Sequence, residues 1–199
     1  SRNVTFFKDS SMPVINEVYY ANESGDIGAN ISLGQNITIF ANVTDALAVD
    51  KVWIKIWRGI VDYSTIVWQG FLNFISGNLY GVSVQTNYSW PLGFTNFTVY
   101  ANDSGNNRAN LTSNFTTLDS TPPVVNLRSP SNGQGLGLGQ SLQYFIANFT
   151  DNYRLQNYSF YLWDSDSNEI NITFGSITGT RNFTNVSFNL PSSGTYYWN

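Results

Sequence analysis

The sequence contains no cysteine and no histidine, and charged residues make up only 11% of its 199 positions. The chain therefore has no thiol nucleophile, no imidazole for acid–base catalysis, no disulfide, and none of the usual zinc or copper ligands. A net charge of −4, with no cluster of Lys and Arg, argues against a nucleic-acid partner. No apolar run approaches the roughly 18 residues of a membrane span, so we expect no direct membrane insertion in this segment.

Short alternating segments dominate a chain that is 42% hydrophobic and 16% aromatic. In "NITIFANVT" (36–44) every second residue from Ile37 to Val43 is aliphatic, and "KVWIKIW" (51–57) alternates in the same way. The second pattern places Trp57 on the polar face. No long window has the spacing of an amphipathic helix, and Gly, Pro, Asn and Asp separate the runs. These features predict an all-β sandwich.

The second half of the chain repeats the first. "GQNITIFANVTD" (34–45) matches "GQSLQYFIANFTD" (139–151), and "VWIKIW" (52–57) matches "YSFYLW" (158–163). Three further pairs of segments match: 9–14 with 119–125, 80–84 with 184–188, and 91–99 with 191–199. Two copies of one domain follow, which we place at residues 10–119 and 120–199.

The two copies differ at their last strand. Copy one continues past the strand at 91–99 through a turn and a final strand, whereas copy two reaches Asn199 within the first of these strands. The N-terminal "NVTFFKDS" (3–10) matches "NFTTLDS" (114–120), the final strand of copy one. We therefore expect residues 1–9 to be an unpaired terminal strand, either a donor strand or the last strand of a preceding domain. We expect the second domain to be incomplete at its C-terminal end.

An incomplete sandwich exposes an apolar groove beside an unpaired strand edge. Burying two to four apolar side chains there is worth about 1.5–3 kcal/mol each. Two sources for the covering strand remain open. One is the same polypeptide in an ordinary tandem array, and the other is the N-terminal strand of another copy, which is donor-strand complementation.

Asn-x-Ser/Thr triplets, the acceptor signal for N-glycans, occur at 15 of the 26 asparagines. Alternating strands with polar outer faces produce some such triplets by chance, but Asn is a poor strand residue that Thr or Lys could replace. In a strand, the Asn and the Thr of a triplet point outward together while the middle residue points inward. We therefore predict N-glycosylation at Asn3, Asn22, Asn30, Asn36, Asn42, Asn87, Asn96, Asn102, Asn110, Asn114, Asn148, Asn157, Asn171, Asn182 and Asn185.

Two segments resemble the immunoglobulin-like repeats of prokaryotic cell-surface proteins: "DSTPPVVNLRSPSNG" (119–133) and "VYANDSGNN" (99–107). In that family a D-x-T-P-P linker opens each domain and a V-x-A-x-D-x-x-G-N turn leads into the last strand; Met12 departs from this pattern where the second copy has Pro122. The resemblance implies two tandem immunoglobulin-like (fibronectin-III-like) antiparallel β-sandwiches. In its many glycosylation triplets and its lack of cysteine, the sequence resembles the proteins of archaeal surface layers, adhesin stalks and extracellular filaments. Some of those filaments consist of glycosylated β-domains joined by donated strands.

A calcium loop is suggested by the D-x-D-x-N spacing of Asp164, Asp166 and Asn168. However, Glu169 stands where the loop requires Gly, and Gly175 stands where the bidentate Glu belongs. We interpret the segment as a solvated hairpin loop and expect no metal site there.

Three other aspartates lie at strand ends or turns. Asp45 and Asp151 end matched strands, and Asp103 lies in a turn. The resemblance implies that related repeats sometimes hold calcium near domain junctions, but turn capping is the interpretation we favour. We expect no cofactor other than covalent N-glycans.

Neither catalysis nor sugar binding has a distinctive motif. The 13 Asp and Glu residues include no recognisable glycosidase pair, so we predict no catalytic residues and no enzyme activity. Trp53, Trp57, Trp68 and Trp163 could form a sugar-stacking platform or pack against neighbouring strands, glycans or subunits.

These features predict a structural subunit of a heavily N-glycosylated extracellular filament or cell-surface array, with copies of itself as partners. The copies would join end to end by strand complementation or by tandem repetition. The alternative is an adhesin or surface-layer segment that binds glycans or other cells.

Overall fold

The structure of the protein, a computed structural model, describes residues 2–4, 9–58, 65–137 and 139–199. Of the predicted terminal strand at 1–9, Ser1 and residues 5–8 lie outside the described residues, and Arg2–Val4 are exposed and belong to no strand. The chain divides into two compact units, Ser1–Ser120 (unit 1) and Thr121–Asn199 (unit 2). The predicted all-β, immunoglobulin-like sandwich fold is confirmed, and no helix capable of crossing a membrane occurs among the described residues.

Unit 1 consists of eight strands: β1 (Val14–Ala21), β2 (Ile31–Ser32), β3 (Asn36–Thr44), β4 (Val49–Arg58), β5 (Thr65–Ser76), β6 (Leu79–Gln85), β7 (Gly93–Asp103) and β8 (Arg108–Leu118). Their order across the sheet is β1-β3-β6-β5-β4-β7-β8-β2. The long strand β5 pairs with β4 over its first part and with β6 over its last, so it links the two layers of the sandwich. The short β2 runs parallel to β8, and the other pairs are antiparallel.

Strand alternation builds the core of unit 1. The aliphatic residues of β3, from Ile37 to Val43, are buried, while the Asn and Thr residues between them are partly exposed. Trp57 departs from the expected pattern. It lies opposite Asn96 on the outer face but is only 7% exposed, and its Nε1 donates a hydrogen bond to Thr98 Oγ1 at 3.2 Å. The large indole is therefore covered although its position in the strand faces outward.

Unit 2 consists of six strands: β9 (Val124–Ser129), β10 (Leu142–Thr150), β11 (Asn157–Asp164), β12 (Glu169–Ser176), β13 (Arg181–Asn189) and β14 (Tyr196–Trp198). They form two three-stranded sheets, β13-β10-β9 and β12-β11-β14. Among the residues described, nothing pairs with the outer edge of β14, the place that β8 takes beside β7 in unit 1. The strand order of unit 2 is therefore that of unit 1 without the counterparts of β2 and β8, and without the pairing that joins β5 to β6.

Strand registers support the internal repeat and correct one part of it. Ala41 lies opposite Tyr80, and Ala147 lies opposite Thr184, as the match of 80–84 with 184–188 requires. The match of 91–99 with 191–199 is wrong by one residue: Ile56 faces Phe97 while its counterpart, Leu162, faces Trp198. Trp198 therefore takes the place of Phe97, because the turn before β14 is one residue longer.

Candidate functional site

In unit 1 the last strand, β8, covers one side of the core. Phe115 of β8 is 1% exposed and packs against Phe97 of β7, with ring centroids 6.1 Å apart. Its ring also lies 5.7 Å from that of Tyr20 on β1, across the sandwich. β8 therefore closes the space between β7 and β1.

The same side of unit 2 is open. The inward residues of β9, Val125 and Leu127, are 50% and 42% exposed, whereas Ile15 and Val18 hold the corresponding register positions in unit 1 and are half-buried. Trp198 is also only half-buried, against complete burial of its counterpart in unit 1. Unit 2 thus combines a free strand edge with a partly uncovered core.

Most of the predicted glycosylation asparagines reach the surface. Eight are exposed: Asn3, Asn30, Asn87, Asn110, Asn114, Asn148, Asn157 and Asn185. Six are half-buried: Asn22, Asn36, Asn42, Asn96, Asn171 and Asn182. In the triplet at Asn42 the middle residue, Val43, is buried while Asn42 and Thr44 are partly exposed, which is the arrangement that a strand allows for a glycan.

Asn102 is the exception among the fifteen. It is 5% exposed, and its Nδ2 donates a hydrogen bond to Asp50 Oδ2 at 3.4 Å. Burial and this hydrogen bond both disfavour an attached glycan at this nitrogen in the folded domain. Because Asn102 immediately precedes the turn at Asp103, its triplet is better explained by the turn sequence than by glycosylation.

Three aspartates that are distant in the sequence converge in unit 1. One carboxylate oxygen from each of Asp9, Asp45 and Asp103 lies within 4.8 Å of the others. Asp9 precedes β1, Asp45 directly follows β3, and Asp103 ends β7. Sequence analysis named Asp45 and Asp103 separately but missed Asp9, although its match to Asp119 at the opening of the second domain marked the position as recurrent.

Hydrogen bonds orient these carboxylates and leave two oxygens unpaired. Asp45 Oδ1 accepts from the backbone N–H groups of Leu47 and Ala48 at 2.9 and 3.0 Å, and Asp9 Oδ1 accepts from the N–H and hydroxyl of Ser11. The second oxygens, Asp9 Oδ2 and Asp45 Oδ2, are buried without a partner. Turn capping by Asp45 is therefore present, but it uses only half of the carboxylate.

Asp103 is held as an anion by Asn107. Burial acts to raise the pKa of Asp103, but hydrogen bonds from the side chain and backbone of Asn107 and from the Gly105 N–H outweigh it and hold the pKa below its usual value. Asn107 also donates to the backbone carbonyls of Asp9 and Ser11, which ties the cluster together. A Cβ at Gly105 would lie 2.9 Å from Asp9 Cβ and from its carbonyl oxygen, so only glycine allows this approach.

The donor set of this cluster suits a hard divalent cation. Neighbouring carboxylates repel one another unless a cation or protons compensate them, and Ca²⁺ takes oxygen ligands of this kind. Asp9 Oδ2 and Asp45 Oδ2 accept no hydrogen bond, so both oxygens could serve as ligands to the ion. Asp9, Asp45 and Asp103 are therefore the residues that would hold such an ion, and it would tie the start of β1 to the ends of β3 and β7.

The Asp164 segment forms a self-contained hairpin loop. Asp164 Oδ1 accepts from the backbone N–H groups of Asp166 and Asn168, and its Oδ2 accepts from the Asn168 side chain, each at 2.9 Å. These bonds, with those of Asn168 first, hold the pKa of Asp164 below its usual value. Both oxygens of Asp164 serve the turn, in agreement with the solvated-loop interpretation.

The four tryptophans divide between the units, with Trp53, Trp57 and Trp68 in unit 1 and Trp163 in unit 2. Trp53 stacks on Tyr100 at 5.2 Å, and Trp163 stacks on Tyr161 at 5.5 Å in the other unit. The Trp68 ring packs over Gly70, where any side chain would clash with it. One shallow groove crosses the outer face of unit 1, lined by Lys51, Trp53, Phe71, Asn102, Asn106 and Arg108.

Comparison with known proteins adds little beyond the fold. No family model and no curated protein matches the chain. Among solved structures, a carbohydrate-binding module of the β-sandwich superfamily is 8% identical, with a TM-score of 0.41 and 96% of each chain covered. Latent PorU from Porphyromonas gingivalis is 14% identical (TM-score 0.39), and a Salmonella alpha-2-macroglobulin mutant is 10% identical (TM-score 0.38). The chain covers only 18% and 15% of those two proteins, although 96% and 97% of its own length aligns.

Proposed function

We propose that the protein is a structural subunit of an extracellular, N-glycosylated filament or surface array in which copies join by strand donation. The open side of unit 2 is the observation that carries this proposal. Val125, Leu127 and Trp198 are left partly uncovered, whereas their counterparts in unit 1, which has β8, are half-buried or completely buried. A strand that filled this space would bury apolar surface at about 25 cal/mol per Å² and pair the free edge of β14.

The segment proposed to fill the space is residues 3–8 of another copy. Its sequence matches β8, with Val4 at the position of Phe115. Val4 is 69% exposed within its own chain. In unit 1, Phe115 lies opposite Thr95, whose counterpart in unit 2 is Tyr196. We therefore expect Val4 of one copy to point into the core of the next, beside Tyr196.

The role proposed is mechanical, not catalytic. Among the described residues, the one group of three converging carboxylates is tied to turns and has oxygen ligands suited to an ion. Exposed glycosylation triplets in both units support an extracellular location and a carbohydrate-covered surface. The resemblance to prokaryotic surface repeats, and to archaeal ones in particular, supports the same setting.

A substitution in the donated segment tests the proposal. We expect the chain to sediment as a concentration-dependent polymer, and Val4→Asp to leave it monomeric because a carboxylate would enter an apolar groove. Leu47→Asp, at a loop residue that is 72% exposed, is the matched control and should polymerise normally. Polymers that survive Val4→Asp, or a wild-type chain that stays monomeric at every concentration, would contradict strand donation and favour a tandem array.

A glycan-binding adhesin segment is the second candidate, and one observation favours it. Tyr100, Trp53 and Phe71 occupy one register row across β7, β4 and β5, and Lys55 Nζ lies 5.8 Å from the centre of the Tyr100 ring. Rows of aromatic side chains with nearby polar groups can hold sugars. Binding of the chain to a glycan array, abolished by Trp53→Ala with the fold intact, would support this candidate.

A further inference from the structure

An exposed phenylalanine lies within β13, an edge strand of unit 2 that pairs with β10 along its whole length. Phe183 of β13 is 66% exposed, although β13 pairs with β10 from Arg181 to Asn189. It projects from the outer face of the β13-β10-β9 sheet, because its neighbours along the strand, Asn182 and Thr184, are half-buried on the other face. A single exposed hydrophobic residue is ordinary on a protein surface, so what gives this ring its significance is the pair of residues that surround it.

Two glycosylation asparagines flank this ring on the same face. Asn148 of β10 lies directly opposite Phe183, and Asn185 follows it by two residues on β13. Both asparagines are exposed. Residues opposite each other in an antiparallel pair have Cβ atoms about 4.5–5.5 Å apart, and residues i and i+2 of a strand share a face. Both attachment points are therefore within reach of the ring.

The overlap of two triplets explains why a phenylalanine is exposed here. "NFTNVS" (182–187) contains triplets at Asn182 and Asn185, which are three residues apart and so lie on opposite faces of a strand. The structure turns Asn185 outward, which forces Phe183 outward as well. Asn182 turns inward, and its Nδ2 donates to the Thr178 carbonyl at 3.1 Å.

We propose that the glycans on Asn148 and Asn185 pack against the ring of Phe183 on the outer face of unit 2. This inference rests on the glycosylation included in the proposed function. A pyranose ring has a face of C–H groups that packs on an aromatic ring, and its hydroxyl groups remain in water. The pairing covers the phenylalanine, restrains the first sugars, and closes this sheet face to lateral contact between copies.

A double-mutant cycle on the glycosylated chain tests the proposal. Phe183→Ser removes the ring, and Thr150→Ala with Ser187→Ala removes both glycans while retaining both asparagines. We expect Phe183→Ser to lower the Tm of the glycosylated protein by about 4–8 °C, the shift for one aromatic contact in a domain of this size, and to leave the protein without the two glycans unchanged. Tm is measured on dilute, monomeric protein, so the result does not depend on filament assembly.

Leu142→Ser is the matched control. Leu142 is 46% exposed on the same sheet face and lies opposite Asn189, which belongs to no triplet. Its effect on Tm should be the same with and without the two glycans. If mass spectrometry shows both sites occupied and Phe183→Ser has equal effects in the two backgrounds, the packing of the glycans on Phe183 is contradicted, but the glycosylation is not. If neither Asn148 nor Asn185 carries a glycan, both the proposed packing and the glycosylation on which it rests are contradicted.

Discussion

Unit 1 and unit 2 share a strand plan, but Phe115 of β8 closes unit 1 while the equivalent edge of β14 in unit 2 is uncovered. The difference appears in the cores. Phe97 of unit 1 is completely buried, and its counterpart Trp198 is half-buried. The comparison teaches that one strand, and chiefly the Phe115 side chain on it, accounts for the complete burial of Phe97 in unit 1.

The largest expected effect comes from making unit 1 resemble unit 2. Phe115→Ala should destabilise unit 1 by about 3–5 kcal/mol, because it removes a buried aromatic ring and leaves a cavity. Phe94→Ala, at a residue that is 76% exposed on the neighbouring strand, should change the stability by less than about 0.5 kcal/mol. Denaturant unfolding measures both. A small effect of Phe115→Ala would mean that β8 does not close the core.

A smaller effect concerns the carboxylate cluster of unit 1. We expect Ca²⁺ at ten times its Kd to stabilise unit 1 by about 1.4 kcal/mol, since an ion that binds only the folded state adds RT ln(1 + [L]/Kd). Asp45→Asn should weaken this response, while the same change at Asp164, whose oxygens serve a turn, should leave it intact. Calorimetry with and without a chelator measures the shift. An identical melting curve with and without the chelator would contradict the binding of Ca²⁺ to this cluster.

The smallest effect is acid sensitivity. The folded-state pKa of Asp103 lies below its usual value, so its contribution to stability is present above the unfolded-state pKa and is lost as pH falls through the folded one. Unit 1 should therefore lose stability below about pH 4. Asn107→Ala should flatten this dependence, because it removes the donors that hold the carboxylate ionised. The slope of Tm against pH is the readout, and an unchanged slope in the variant would contradict this assignment.

Sequence reasoning predicted what strand alternation and repetition control. The bounds of β3, 36–44, agree with the structure, and so does the match of 80–84 with 184–188, whereas the match of 91–99 with 191–199 is displaced by one residue. It did not predict that Asp9 joins Asp45 and Asp103, because that contact depends on the path of the chain before β1. Nor could it decide which of two overlapping triplets turns outward at Phe183, since tertiary pairing sets the phase of β13.

The covering strand is the central claim, and an engineered disulfide tests it most directly. In unit 1, Asn114 lies opposite Asn96, so the register predicts that Asn3 of one copy lies opposite Tyr197 of the next. The chain has no cysteine, so Asn3→Cys with Tyr197→Cys adds the only thiols. We predict a ladder of disulfide-linked multimers on mild oxidation, and none when Phe183→Cys replaces Tyr197→Cys. Monomers alone from the first pair, under conditions where the chain assembles, would contradict the account.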